Sequence, residues 1–147
     1  RIFQLLGPLD DNARVTVIGH SLGAAMATLC AIDIRRNTRK KNIDMAFFGS
    51  PRVGKIDFRI FFNKQIQRYY RVTNHGDIVP SVPSLLTLWN HVGEEIAVRG
   101  KAPGQIPHSL LAYLDGLHHI GQPQEVVPGV DLQPESARPI VMSMRTL

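Results

Sequence analysis

Gly19-His20-Ser21-Leu22-Gly23 is the segment of this sequence whose residue types and spacing could do chemistry. A serine forced into a sharp strand-to-helix turn takes up a strained backbone conformation and projects its hydroxyl above the edge of a sheet. The chain then passes so close on either side that the residues two before and two after must be nearly free of side chains. Gly19 and Gly23 meet that demand. The same turn puts the Leu22 N–H in the first turn of a helix, where unpaired donors and the helix dipole favour a developing oxyanion. Ser21 is thus expected as a nucleophile and the Leu22 backbone N–H as an oxyanion donor. A bare match to this pattern also arises as an ordinary glycine-rich turn or helix cap, so its flanks must decide.

Those flanks fit. Val15-Thr16-Val17-Ile18 is a β-branched run after the polar stretch Asp10 to Arg14 and reads as a buried strand. After Gly23 the period changes: Leu22, Met26, Leu29, Ile32 and Ile34 follow helical spacing, with Ala24, Ala25 and Ala27 as small, strong helix formers. Ile43 to Phe48 reads as a second strand, stopped by Gly49-Ser50-Pro51, and Asp57 to Gln67 as a helix. Tyr69 to Thr73 reads as a third strand and Val92 to Val98 as a fourth. A helix is expected over Ser109 to Leu117, with Leu110, Leu111, Leu114 and Leu117 on its apolar face. Strands alternating with helices predict a mostly parallel sheet with helices on both faces, an α/β fold. Residues 1–120 read as the catalytic portion of one domain. From Gly121 onward proline and glycine become dense, and 121–147 reads as an extended tail.

Three motifs occur in one order: Gly-His-Ser-Leu-Gly-Ala-Ala (19–25), Phe-Gly-Ser-Pro-Arg-Val-Gly (48–54) and Asn-His-Gly-Asp-Ile-Val-Pro (74–80). Together they resemble the class 3 lipases of fungi, plants and bacteria, over about Val15 to Leu117. The resemblance implies an α/β-hydrolase fold, of which this chain would be the C-terminal part with the preceding strands missing.

A serine hydroxyl needs a base to take its proton and a carboxylate to orient that base. In α/β-hydrolases the partners follow in the order Ser, Asp or Glu, His, on loops at the carboxyl ends of strands. Asp33 lies on the helix that leaves Ser21, roughly 18 Å away at about 1.5 Å per residue. Asp44 begins its strand, at the wrong edge, and Asp57 opens a helix, where an acidic residue has a structural reason. Asp77, directly after the third strand, is left, and the resemblance places the acid there too. Among the later histidines, His91 starts a strand, while His118 and His119 stand at the far end of a helix. His108 ends a loop and opens that helix. It is the first choice, with His91 as the alternative, and His108-Ser-Leu-Leu-Ala-Tyr-Leu resembles the segment that carries the base in the family. His20 and His75 read as packing or hydrogen-bonding neighbours.

Composition bounds the rest. The 147 residues suit one domain, and 44% hydrophobic with 20% charged describes a globular chain. No apolar run is long enough to suggest an integral membrane segment. The lone Cys30 excludes an internal disulfide and a cysteine-rich metal cage, and its apolar setting reads as a buried, inert thiol. This leans toward a reducing, cytoplasmic compartment, with secretion left open. The net charge is +5, with Arg35, Arg36, Arg39, Lys40 and Lys41 in one cluster. A solvated helix end is the first reading of that cluster, and contact with anionic lipid the second. Nucleic acid is not expected, since no binding motif or aromatic interleaving accompanies it.

The resemblance implies hydrolysis of lipid acyl esters at a lipid–water interface, without metal or cofactor, by Ser21, Asp77 and His108. Triacylglycerol-like substrates come first, with phospholipase A1 or galactolipase action as the alternative. A non-catalytic, lipase-like regulatory module is the alternative of another class. The second oxyanion donor and the lid are expected upstream of residue 1, so the chain alone is expected to show little activity and to expose a sheet edge and part of a core face.

Overall fold

The computed structural model describes residues 2–120; the expected tail at 121–147 lies outside the described residues. The elements are α1 (Ile2–Leu6), β1 (Val15–His20), α2 (Leu22–Asn37), β2 (Ile43–Phe48), α3 (Ile56–Gln65), β3 (Arg68–Asn74), β4 (Glu95–Val98) and α4 (Leu110–His118). The four strands form one sheet in the order β1-β2-β3-β4, every pair parallel. β1 therefore runs two residues further than its β-branched core suggests, to the residue before Ser21. β4 is shorter than expected; Val92 stays in the core but precedes the strand.

Side-chain alternation divides the sheet into two faces. Val15, Val17, Ile43, Met45, Phe47 and Tyr69 face α2 and α3, and join Ala24, Ala27, Ala31, Ile34, Phe62 and Ile66 in the main core. Phe48, Val72, Ile96 and Val98 lie on the other face, under Tyr113 and Leu117 of α4. Ile18, Ala46 and Tyr70 stand side by side in register on that second face. There α4 does not reach, and Ile18 and Tyr70 are 66% and 48% exposed among the described residues.

α2 and α4 turn a different face to the sheet from the one most of their large residues suggest. α2 buries Ala24, Ala27, Thr28, Ala31 and Ile34, and leaves Leu22, Met26 and Leu29 exposed. α4 buries Ala112, Tyr113 and Gly116, and leaves Leu110, Leu111 and Leu114 exposed. Close approach is the reason. A Cβ on Gly116 would lie 2.6 Å from Val98 Cγ2, and one on Gly100 only 1.7 Å from the Ala112 carbonyl oxygen. Small residues let helix and sheet meet at that spacing, and leucines do not fit between them.

The basic cluster at the end of α2 is not a uniformly solvated helix end. Lys40 is buried, with Nζ donating to the Leu9 carbonyl at 2.6 Å and to Asp11 at 3.1 Å. Lys41 donates to the carbonyls of Arg35 and Thr38, where a cation satisfies the helix terminus. Cys30 is half-buried at the margin of the core, where burial raises its thiol pKa and keeps it in the neutral form.

A polar clamp shapes the loop between β3 and β4. The Arg52 guanidinium donates to the carbonyls of Ser81 and Pro83, and its backbone N–H to that of Val82. His91 Nε2 donates to the Pro80 carbonyl at 2.8 Å. Burial, and then the nearby Arg71 guanidinium, push the His91 imidazole down to about 4 from an ordinary 6.5. The unfolded chain thus takes up this proton at a higher pH than the folded protein does. Between those two values proton uptake favours unfolding, and stability falls as the pH is lowered. The melting temperature should drop across that window, and less steeply in His91→Gln; equal slopes in thermal denaturation of the two proteins would contradict this.

Candidate active site

Ser21 stands where β1 becomes α2, with φ 58° and ψ −130°. Positive φ is uncommon for a residue with a side chain and is held here by neighbours on both sides. The Ser21 N–H donates to the Phe48 carbonyl at 3.0 Å, and the Ser21 carbonyl accepts from the N–H of Ala24 at 3.0 Å. Although Ser21 occupies the N-cap position, its hydroxyl makes no capping hydrogen bond. An ordinary helix cap would use that oxygen. Here it is left for another role.

The two glycines of the turn differ. A Cβ on Gly19 would lie 2.4 Å from the Gly23 carbonyl oxygen and 2.7 Å from Ala24 Cα, so Gly19 is sterically required. A Cβ on Gly23 would meet nothing within 4 Å. The expected demand for a bare residue two after the serine is therefore absent among the described residues, because Gly23 lies on the outward side of the first turn. Leu22 is the first residue of α2, where backbone N–H groups have no partner within the helix.

Asp77 follows β3, whose parallel partners bring its end to the same sheet edge as Ser21. Its side chain is 0% exposed. Oδ1 accepts from the Val79 N–H at 2.9 Å, the turn bond open to any loop aspartate. Oδ2 does more. It accepts from His108 Nδ1 at 2.8 Å and from the Tyr113 hydroxyl at 2.6 Å. A carboxylate that accepts from Nδ1 fixes the proton there and leaves Nε2 as the basic nitrogen.

His108 is held against the turn by His20. Nε2 of His20 donates to the His108 carbonyl at 2.8 Å, and the two rings lie 4.6 Å apart. Since His20 directly precedes Ser21, this contact draws the His108–Asp77 pair to the turn. Asn74 fixes the loop that arrives at His108: its buried side chain donates to the carbonyls of Gly100 and Pro107 and accepts from the Gly100 N–H. His91, the alternative base, points instead at Pro80 in the clamp. His119, just past α4, bonds back to the Asp115 carbonyl. Asp44 pairs with Arg14 and Arg68 at the amino edge of the sheet, and the Asp57 carboxylate accepts from the Phe58 N–H at the start of α3, both structural uses.

Tyr113, Asn74 and Gly49 escape a reading of the sequence alone. Tyr113 is hidden among the leucines of α4; its signal is a polar tip within an apolar helix, which needs a partner when buried. Gly49 reads as a strand stop. In the structure it has φ +56°, and a Cβ there would lie 2.9 Å from both Asp77 Oδ2 and the Tyr113 oxygen, and 3.0 Å from His108 Cε1. Its bareness makes room for the hydrogen-bonded trio. Gly49→Ala should strain the backbone and displace these groups, lowering any turnover that depends on them by about two orders of magnitude, since an ångström of misplacement costs that much. Steady-state kinetics with an activated ester checks this, and activity equal to the parent would contradict it.

Comparisons with known proteins place the chain in a family. A family model described as lipase (class 3) matches residues 3–87. "Phospholipase A(1) DAD1, chloroplastic" from Arabidopsis thaliana is 40% identical over 87 residues, covering 58% of this chain and 19% of that protein. A secreted mono- and diacylglycerol lipase of Malassezia globosa is 39% identical over 87 residues, covering 58% of this chain and 29% of its own length. A solved triacylglycerol lipase, described as having a catalytic centre formed by a serine protease triad, superposes with a TM-score of 0.57 at 33% identity. That match covers 66% of this chain and 36% of that one. The chain thus spans between about a fifth and just over a third of these proteins. Its sheet and helices are part of an α/β-hydrolase fold, and the chain belongs to the class 3 lipase family.

Proposed function

We propose that this chain carries the acid, base and nucleophile of a serine ester hydrolase acting on acyl esters of lipids. Ser21 is the nucleophile, His108 the general base and acid, Asp77 the carboxylate that orients it, and the Leu22 N–H an oxyanion donor. One observation carries the reading: a strained serine that caps nothing shares a sheet edge with an imidazole whose Nδ1 is bonded to a fully buried carboxylate.

The mechanism follows from that arrangement. His108 Nε2 takes the Ser21 proton as Oγ attacks the ester carbonyl carbon, and the Leu22 N–H stabilises the resulting oxyanion. Asp77 stabilises the imidazolium without taking its proton. Collapse breaks the carbon–oxygen bond to the leaving alcohol, which takes the proton from His108 and leaves an acyl-Ser21 ester. Water, deprotonated by the same imidazole, then releases the fatty acid and restores the serine.

Apolar substrate fits the surroundings. Leu22, Ile78, Ile106 and Leu110 each lie within two residues of Ser21, Asp77 or His108, and they are between 54% and 77% exposed. Such a rim suits acyl chains and a lipid–water interface. Neutral glycerides are the first substrate class. A phospholipid acyl ester is the second, favoured by the relatives whose names specify phospholipase A1. No helix among the described residues is long and apolar enough to cross a membrane.

Ser21→Ala should abolish ester hydrolysis and labelling by a fluorophosphonate, with the far-ultraviolet circular dichroism unchanged. Loss of a triad serine lowers turnover by about six orders of magnitude in well-studied cases. Retained turnover in this variant would reject Ser21 as nucleophile. A parent protein inert to the fluorophosphonate would favour a lipase-like binding module instead.

A further inference from the structure

Tyr113 is the group at this site for which the mechanism above has no use. Its ring is 1% exposed, seated edge-on to Phe48 and His20 at 6.0 Å each. Its hydroxyl donates to the same carboxylate oxygen, Asp77 Oδ2, that receives the His108 proton. We infer that Tyr113 is a positioning residue whose hydroxyl limits how strongly Asp77 holds the His108 proton, and so tunes the base; this rests on the proposed roles of Asp77 and His108.

The effect is electrostatic. Asp77 Oδ2 is shared between two donors, and the carboxylate is sealed from solvent, so no water can take the place of a missing one. Each donor to an anion disperses part of its charge. Without the tyrosine hydroxyl the carboxylate pulls harder on the Nδ1 proton, the imidazolium is favoured, and His108 becomes basic at a higher pH. Burial, and then the Asp77 carboxylate, push the Tyr113 hydroxyl above its ordinary range, so it remains a donor throughout the working pH range. The ionisable groups facing His108 are Asp77 at the end of β3, Tyr113 on α4 and His20 at the end of β1. Glu95 on β4 acts on Tyr113 more weakly. All but Tyr113 stay the same in variants of Tyr113.

Gly49 supports the same reading from the opposite side. Its missing side chain leaves the space in which Asp77, His108 and the Tyr113 oxygen meet, and a Cβ there would crowd all three at once. Ring packing alone would not require a hydroxyl at this point.

The test compares the parent, Tyr113→Phe, which keeps the ring, and Tyr113→Leu, which loses both ring and hydroxyl. The pH dependence of kcat/KM for a short-chain p-nitrophenyl ester gives one readout, and the NMR titration of the His108 ring proton gives another that needs no turnover. Tyr113→Phe should leave KM within about two-fold and lower kcat by about ten-fold, with the acid limb and the NMR midpoint both moved up by about one pH unit. Replacement of Tyr113 by 3-fluorotyrosine, a stronger donor of nearly the same shape, should move the midpoint the other way. An unmoved or lowered His108 midpoint in Tyr113→Phe would overturn the inference, as would a shift equal to that in Tyr113→Leu with no effect of the fluorinated residue. Turnover surviving Ser21→Ala would instead reject the proposed function, leaving the NMR comparison to decide on Tyr113.

Discussion

A buried carboxylate must be satisfied on every side, and at Asp77 that requirement ties together parts of the chain distant in sequence. Oδ1 closes its own turn through Val79, while Oδ2 joins the loop that ends in His108 and the middle of α4 through Tyr113. Taking an ionised carboxyl out of water costs several kcal/mol unless good hydrogen bonds offset it. The donors here come from three separate segments. His108 and Tyr113 can reach Asp77 only if β3, the 100–107 loop and α4 are correctly assembled, so the bonds that offset the cost also define the geometry of the site.

The sheet supplies the frame for that anion. Parallel pairing delivers the ends of β1, β2 and β3 to one edge, where Ser21, Gly49 and Asp77 follow their strands in turn. Backbone bonds continue the ladder past the strands, from Ser21 to Phe48 and from Gly49 to Val72. The strained serine is therefore not a free turn. Its conformation is held by a neighbour strand on one side and by the first turn of α2 on the other.

Much of this was legible in residue order. A β-branched run after a polar stretch marks β1, an apolar run marks β2, and the Gly-Ser-Pro and Asn-His-Gly-Asp stops mark the edge where loops begin. Chain order and strand direction then singled out Asp77 and His108, and the structure brings those two into contact. What stayed hidden was the facing of the helices. Leu110, Leu111 and Leu114 carry the larger apolar surface, yet Ala112 and Gly116 lie inward, because closeness of layers rather than side-chain size decides which face fits. The roles of Tyr113, Asn74 and Gly49 were hidden for a related reason. Each depends on a partner from another segment, and spacing along one element carries no record of it. Lys40 is similar: its burial depends on Asp11 and the Leu9 carbonyl, thirty residues upstream.

The placement of the basic residues at the end of α2 bears on how the protein meets a charged surface. α2 has sixteen residues, about 24 Å from Ser21 to its far end at about 1.5 Å each. Arg35, Arg36 and Lys41 sit at that far end, joined at the amino edge of the sheet by Arg14 and Arg68. Attraction of these cations to an anionic surface would draw the far end of α2 toward it and turn the Ser21 end away. The exposed Leu22 and Ile78 beside Ser21 and Asp77 then face away from such a surface, so charge and apolar exposure draw opposite ends of α2 to a lipid layer.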